Sequence, residues 1–241
     1  MQVVILTGGL GTRLMPLTLK VPKSMVIISG NPYLYYQLMY LKQFNLREVL
    51  LCVGYLGNSV RDCFGDGSRL GLNITYSIED KPLGTAGCLK KAGQLLQDQF
   101  FLIYGDSFLP INYFNLESAF KRCRKLGLIV IYDNKENTSV KNNILIDTDS
   151  NIVKYDKTDG EKGLTHVDAG VLTFDKKILN LFPQKEEISL EKDIFPILIK
   201  QKQLFGYISP ERFYDIGTFK GIKDFEGFLE RTGKKIIVPE S

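Results

Sequence analysis

The apolar run Val3-Val4-Ile5-Leu6 leads almost directly into the loop Gly8-Gly9-Leu10-Gly11-Thr12-Arg13. Four apolar residues in a row, three of them β-branched, have the length and character of a strand buried on both faces. A buried strand is therefore expected to end where three glycines begin. Gly8, Gly9 and Gly11 permit backbone geometries and close approaches that a Cβ would block, which lets successive amides turn toward a phosphate. Arg13 and Lys23 bring two cations to the same stretch, and Pro16 and Pro22 stiffen the loop that carries them. That combination suits a nucleoside triphosphate.

Two other glycine loops bind phosphates, and neither fits. A dinucleotide fingerprint needs G-x-G-x-x-G, but Gly9-Leu10-Gly11 is followed by Leu14 where a third glycine should let helix and strand close together. This argues against a nicotinamide-dependent oxidoreductase. A P-loop needs G-x-x-x-x-G-K-[ST], and the Lys23-Ser24 pair is preceded by Pro22, so the phosphate nest cannot form there. The remaining alternative for the stretch is a tight turn with solvated Arg13 and Lys23.

The segment GGLGTRLMPLTLKVPKSM (residues 8–25) closely resembles the signature G-G-x-G-T-R-L-x-P-L-T-x-x-x-P-K of the sugar-1-phosphate nucleotidyltransferases. These enzymes join a nucleoside triphosphate to a sugar 1-phosphate and release pyrophosphate. KPLGTAG (81–87), YGD (104–106), YDK (155–157), VDAG (167–170) and YDIGT (214–218) follow in the family's order. The resemblance spans roughly residues 1–230 and is nearest to two subgroups. One is the short guanylyltransferases for mannose or heptose 1-phosphate, the other the short uridylyltransferases for N-acetylmuramate 1-phosphate. It implies an α/β fold: a Rossmann-like three-layer sandwich around a mixed, mainly parallel sheet, the nucleotide-diphospho-sugar transferase fold. It also admits a catalytically silent subunit that binds nucleotide or a partner protein, although such relatives lose signature cations or metal ligands and this chain keeps them.

A sugar 1-phosphate with a second pKa of about 6 is already a dianionic nucleophile at neutral pH, so positioning and charge neutralisation should dominate the barrier. Arg13 is expected on the β/γ-phosphates and Lys23 on the α-phosphate, as the two catalytic cations. Leu6, Gly8, Gly9, Gly11, Thr12, Gly84, Thr85 and Glu79 are the expected nucleotide contacts. An ionised Glu79 could accept from guanine N1–H and N2–H₂, whereas uracil offers only N3–H, which favours GTP and leaves uridylyl-, cytidylyl- and thymidylyltransferases of the same family as alternatives. Asp106 ends the apolar run FFLIYG, and Asp215 precedes Ile216-Gly217-Thr218. The resemblance places both on a Mg²⁺ ion, a cation that prefers a few carboxylates with phosphate oxygens and water. By the same resemblance Lys157 holds the sugar phosphate, Asp156 stands where relatives carry a glutamate for the sugar, and Asp168 stands where they often carry asparagine. His166, the only histidine, reads as a hydrogen-bonded loop residue, and the reaction requires no histidine base.

The 31 basic and 27 acidic residues form no dense basic stripe, which argues against a nucleic-acid partner. No apolar run approaches the ~20 residues of a membrane span, and no leader with a cleavage site is visible, so the cytoplasm is expected. Cys52, Cys63, Cys88 and Cys123 lack metal-ligand spacing and read as reduced, mostly buried thiols. A single nucleotidyltransferase domain over residues 1–232 is expected, its nucleotide half ending near 110 and its sugar half running from about 111, followed by a flexible tail at 233–241. A homo-oligomer is left open. Helices are expected at 32–44 with an Asn31 cap, from Thr85 as a cap, at 115–125, 190–201 and 218–230. Strands are expected at 49–53, 73–77, 100–104, 128–132 and 204–208, with shorter antiparallel segments at 143–147, 152–155 and 171–174.

Overall fold

The computed structural model describes all residues except Leu10, Tyr55, Asn137, Ser139, 159–161 and 234–241. All of the expected tail but Gly233 lies outside the described residues. The chain runs through β1 (Gln2–Leu6), a loop of short 3-10 turns, the small hairpin of β2 (Ile27–Ile28) and β3 (Asn31–Pro32), and α1 (Tyr33–Gln43). It continues through β4 (Glu48–Val53), α2 (Gly57–Phe64), β5 (Asn73–Ile78), α3 (Gly84–Lys91), β6 (Gln99–Tyr104), β7 (Ser107–Phe108) and α4 (Tyr113–Cys123). There follow β8 (Gly127–Tyr132), β9 (Ile144–Ile146), β10 (Ile152–Tyr155), β11 (Val167–Asp175), α5 (Phe195–Lys200), β12 (Leu204–Ile208), β13 (Tyr214–Asp215) and α6 (Phe219–Arg231).

Seven strands form one sheet in the order β12-β8-β11-β6-β1-β4-β5. β11 runs antiparallel to both neighbours, and every other adjacent pair is parallel. Within the main sheet the expected drift toward antiparallel pairing in the second half is thus confined to β11, because β12 returns parallel to β8; outside it, β9 pairs antiparallel with β10 and β13 with β7. Alternate residues serve opposite faces. On β1, Val3 and Ile5 enter the apolar layer shared with α1, α2, α4 and α6, and Val4 enters the layer shared with α3 and α5. The result is the expected three-layer sandwich with a mixed, mainly parallel sheet.

Helix α6 shows why the terminal elements close. Ile222, Phe225, Phe228 and Leu229 fall on one face and are buried, and the Thr218 hydroxyl caps the first turn by accepting from the Gly221 amide. Two caps differ from expectation. Asn31 lies in the β2–β3 hairpin and caps nothing; the Tyr33 amide that opens α1 donates to the Val26 carbonyl across that hairpin. Thr85 is the second residue of α3, not its cap, because the Ile188 carbonyl already accepts from the Ala86 and Gly87 amides. The segment expected as helix 190–201 begins as a π-turn over Leu190–Ile194 before α5. β11 is longer than its expected core, α4 starts two residues early behind an Asn112 cap, and α2 was not anticipated.

Candidate active site

The ends of β1, β5 and β6 open onto a cavity of about 430 Å³. Leu6, Gly8 and Gly9 form its floor, and Glu79, Gly84 and Thr85 stand on the wall beyond β5. The loop is folded back on itself: Gly11 has φ of 62°, and the Thr18 hydroxyl donates to its carbonyl at 2.8 Å. A Cβ on Gly11 would stand 2.9 Å from Thr18 Cγ2, so both conformation and space exclude a side chain there. Around Gly9 the space is open. Glu79 accepts from the Leu83 amide through Oε2 at 3.1 Å, and its Oε1 faces the backbone of Gly8. Burial raises its pKa, opposed by the Leu83 amide and the Lys91 charge. Ser24 lines the same cavity, its hydroxyl buried without a protein partner.

The charged centre is assembled from three distant parts of the chain. β7 and β13 pair antiparallel, Asp215 lies opposite Ser107, and the Ile216 amide donates to the Asp106 carbonyl at 2.9 Å. This two-residue ladder brings the Asp106 and Asp215 carboxylates to one ammonium: Lys23 Nζ is 2.6 Å from Asp106 Oδ2 and 3.8 Å from Asp215 Oδ1. Arg13 joins them. A Cβ on Gly217 would lie 2.7 Å from Asp215 Oδ1 and 2.9 Å from both Arg13 Nη2 and Lys23 Nζ, so these groups converge on a single point that only glycine leaves free. Burial raises the Asp215 pKa, the Asp106 charge raises it further, and Lys23 and Arg13 oppose both.

Across the cavity, Lys157 Nζ lies 5.1 Å from the centre of the Tyr104 ring and 5.5 Å from that of Tyr155. The Tyr155 hydroxyl donates to Asp168 Oδ2 at 2.8 Å, and the Gly170 amide donates to Asp168 Oδ1. Burial raises the Asp168 pKa against the pull of Lys157. Burial also disfavours the charge on Lys157, but Asp168 and Glu191 outweigh it and its pKa is raised.

Of the residues singled out in the sequence, Leu6, Gly8, Gly9, Lys23, Glu79, Gly84, Thr85, Asp106 and Lys157 line one cavity. Arg13 and Asp215 border it through Lys23, and Gly11 supports Lys23 from behind. Thr12 lies with Arg13 in a 3-10 turn, and Asp168 sits behind the tyrosines. Asp156 is not brought into the cavity; its Oδ1 accepts from the Thr158 amide and hydroxyl in a local turn. His166 bridges to Ile144 and hydrogen-bonds Thr165 as a loop residue. Among the cysteines Cys52 and Cys88 are buried, whereas Cys63 is exposed, so the thiols are less uniformly buried than expected. Sequence reasoning missed Tyr104 and Glu191. Tyr104 sits in the quoted YGD segment and carried a usable signal, whereas Glu191 reads as an ordinary polar residue in a helix start.

The site gathers cations and carboxylates where a parallel sheet presents its strand ends, the usual ligand position of nucleotide-handling α/β enzymes. Comparison with known proteins agrees: the model of the nucleotidyl transferase family matches residues 2–232, and the chain belongs to that family. The D-glycero-α-D-manno-heptose 1-phosphate guanylyltransferase of Aneurinibacillus thermoaerophilus is 31% identical over 90% of this chain and 93% of its own length. The enzyme of the same name from Campylobacter jejuni is 32% identical over 90% and 95%. The mannose-1-phosphate guanylyltransferase of Mycobacterium tuberculosis is 31% identical over 89% of this chain, which spans 60% of that longer protein. Among solved structures, HddC from Yersinia pseudotuberculosis superposes with a TM-score of 0.82 at 26% identity, covering 95% of this chain and 99% of its own. No helix among the described residues is long and apolar enough to cross a membrane.

Proposed function

We propose that the protein joins a nucleoside triphosphate, GTP by preference, to a hexose or heptose 1-phosphate, giving a nucleotide-activated sugar and pyrophosphate in the cytoplasm. The observation that carries this reading is the convergence of Arg13, Lys23, Asp106 and Asp215 on one side of a cavity whose other side presents Lys157. The guanylyltransferase relatives support the base and sugar classes.

Asp106 and Asp215 fit a Mg²⁺ ion: two oxygen-donor carboxylates share one rim, and burial together with the Asp106 charge raises Asp215 even though Lys23 and Arg13 stand beside it. A bound Mg²⁺ would supply charge neutralisation on the phosphates. The chain's own residues do the rest. Lys23 and Arg13 hold the triphosphate extended and meet the charge that develops on it, and Lys157 brings the sugar phosphate into line. A sugar-phosphate oxygen then attacks the α-phosphorus, the bond to the bridging oxygen breaks, and pyrophosphate leaves. No proton need be removed, in keeping with a site among whose lining residues there is no histidine.

A panel of four nucleoside triphosphates against a set of sugar 1-phosphates, read by pyrophosphate release, tests the proposal; no release from any pair would overturn it. Two variants refine it. Lys157→Ala should raise the KM for the sugar 1-phosphate far more than that for the triphosphate, and equal effects on both would place Lys157 elsewhere. Glu79→Gln should weaken GTP use about 5- to 150-fold, the range expected for a two-donor pair, and leave UTP use nearly unchanged. Oε2 already accepts from Leu83, so guanine would bond to Oε1 and the second lone pair of Oε2. A wild type with higher kcat/KM for UTP, CTP or dTTP than for GTP across the panel would overturn the guanylyl preference.

A further inference from the structure

Glu191 lies on the cavity wall in the first turn after Ser189, and its carboxylate is surrounded by donors. Oε2 accepts from the Thr85 hydroxyl at 2.7 Å and the Ser189 hydroxyl at 2.8 Å. Oε1 accepts from Lys157 Nζ and from the Tyr104 hydroxyl, each at 3.2 Å. A carboxylate has about four lone-pair sites, so all of them are in use. Glu191 therefore has no acceptor capacity left for a sugar hydroxyl, although it faces the cavity. Burial works against its charge, but Lys157 and the hydroxyls outweigh it and hold the pKa at about 2. It stays ionised wherever the protein is folded and active.

Its partners come from four places. Thr85 is on α3, Tyr104 ends β6, Ser189 opens the π-turn, and Lys157 follows β10. The Thr85 hydroxyl also accepts from the Leu190 amide at 2.8 Å, and the Ile188 carbonyl closes the first turn of α3. The wall on the nucleotide side and the lysine on the opposite side thus meet at one carboxylate. Without it, the four-carbon stem of Lys157, whose side chain is 46% exposed, would be free to swing into solvent.

We infer that Glu191 is a positioning residue that holds the Lys157 ammonium over the Tyr104 ring and couples it to α3, so that the sugar phosphate meets an ordered cation. The inference deepens the proposed reaction and rests on it for its kinetic consequence alone. Because a saturated carboxylate acts through its donors, loss of the charge should be felt by Lys157 and the ligand of Lys157, and scarcely by the triphosphate.

The experiment uses the full chain and the isosteric variant Glu191→Gln, whose amide can still hydrogen-bond Thr85 and Ser189. NMR titration of the Lys157 amine, assigned through Lys157→Ala, should show its midpoint falling in the variant. The KM for the accepted sugar 1-phosphate should rise about tenfold and that for the triphosphate by no more than about twofold. In a Lys157→Ala background the same replacement should add no more than about twofold. An unmoved midpoint, a parallel rise in both KM values, or a full multiplication of effects in the double variant would each overturn the inference. If Glu191→Gln does not fold, Glu191→Asp, which keeps the charge but loses the reach to Lys157, must show the same split between substrates. The titration needs no turnover. A wild type that releases no pyrophosphate with any pair refutes the proposed reaction, while the link between Glu191 and Lys157 is still decided by the midpoint.

Discussion

Lys23→Ala is expected to give a folded protein whose turnover is slower by about 10² to 10³, the usual cost of losing one preorganised charge at a transferring group. The Lys23 side chain is 12% exposed and its ammonium lies 2.6 Å from Asp106, so in the proposed reaction it would meet the developing charge without having to reorganise. Its loss acts twice. The phosphates lose a cation, and Asp106 and Asp215 are left facing each other with only Arg13 nearby. The defect should therefore exceed that of Arg13→Ala, which removes a partner from the phosphates but leaves Lys23 between the carboxylates. Initial rates of pyrophosphate release, with circular dichroism to confirm folding, check both variants. A near-normal rate in folded Lys23→Ala would remove the assignment of this loop to the triphosphate.

Replacing Asp106 or Asp215 by Asn should cost activity on the same scale and weaken the response to added Mg²⁺, and a chelator should stop the wild type reversibly. The two carboxylates are presented side by side by β7 and β13 and share one ammonium, so they are expected to act as a unit. The double variant should then be little worse than the poorer single one, since residues with a common task are not additive. A double variant as slow as the product of the two single defects would assign the carboxylates separate tasks. A chelator without effect would exclude the metal role.

Most strands of the main sheet were legible as short, nearly continuous apolar runs, Gly127–Tyr132 being buried at every residue, whereas β5 shows the alternation of a half-exposed strand. The loop glycines, Arg13 and Lys23 were legible because their chemistry is local in the sequence. What escaped was non-local. Helix α2 buries little beyond Val60 and Phe64, too few apolar positions to show a period. β7 and β13 are two residues each and have no pattern of their own, so the expectation that Asp106 and Asp215 share one site rested on the family resemblance and not on any local signal. Thr85 looked like a cap because threonine favours that position, but a carbonyl from beyond β11 had already taken the orphan amides. Glu191 has almost no local signature, since three of its four donors, Thr85, Tyr104 and Lys157, come from elements distant in the chain.

The ladder between β7 and β13 also affects the order in which competence is acquired. Every strand of the main sheet precedes Tyr214 in the chain, so the scaffold can be laid down before the second carboxylate is in place. Asp215 is fixed only when Tyr214 packs against Phe225 and Phe228 of α6, beside the Phe108 that β7 supplies. A ribosome-bound or clipped chain ending before that point would carry the nucleotide loop and both of its cations, yet lack half of the carboxylate pair. If the carboxylate pair acts as proposed, a chain cut before Asp215 should bind the triphosphate and still be inert.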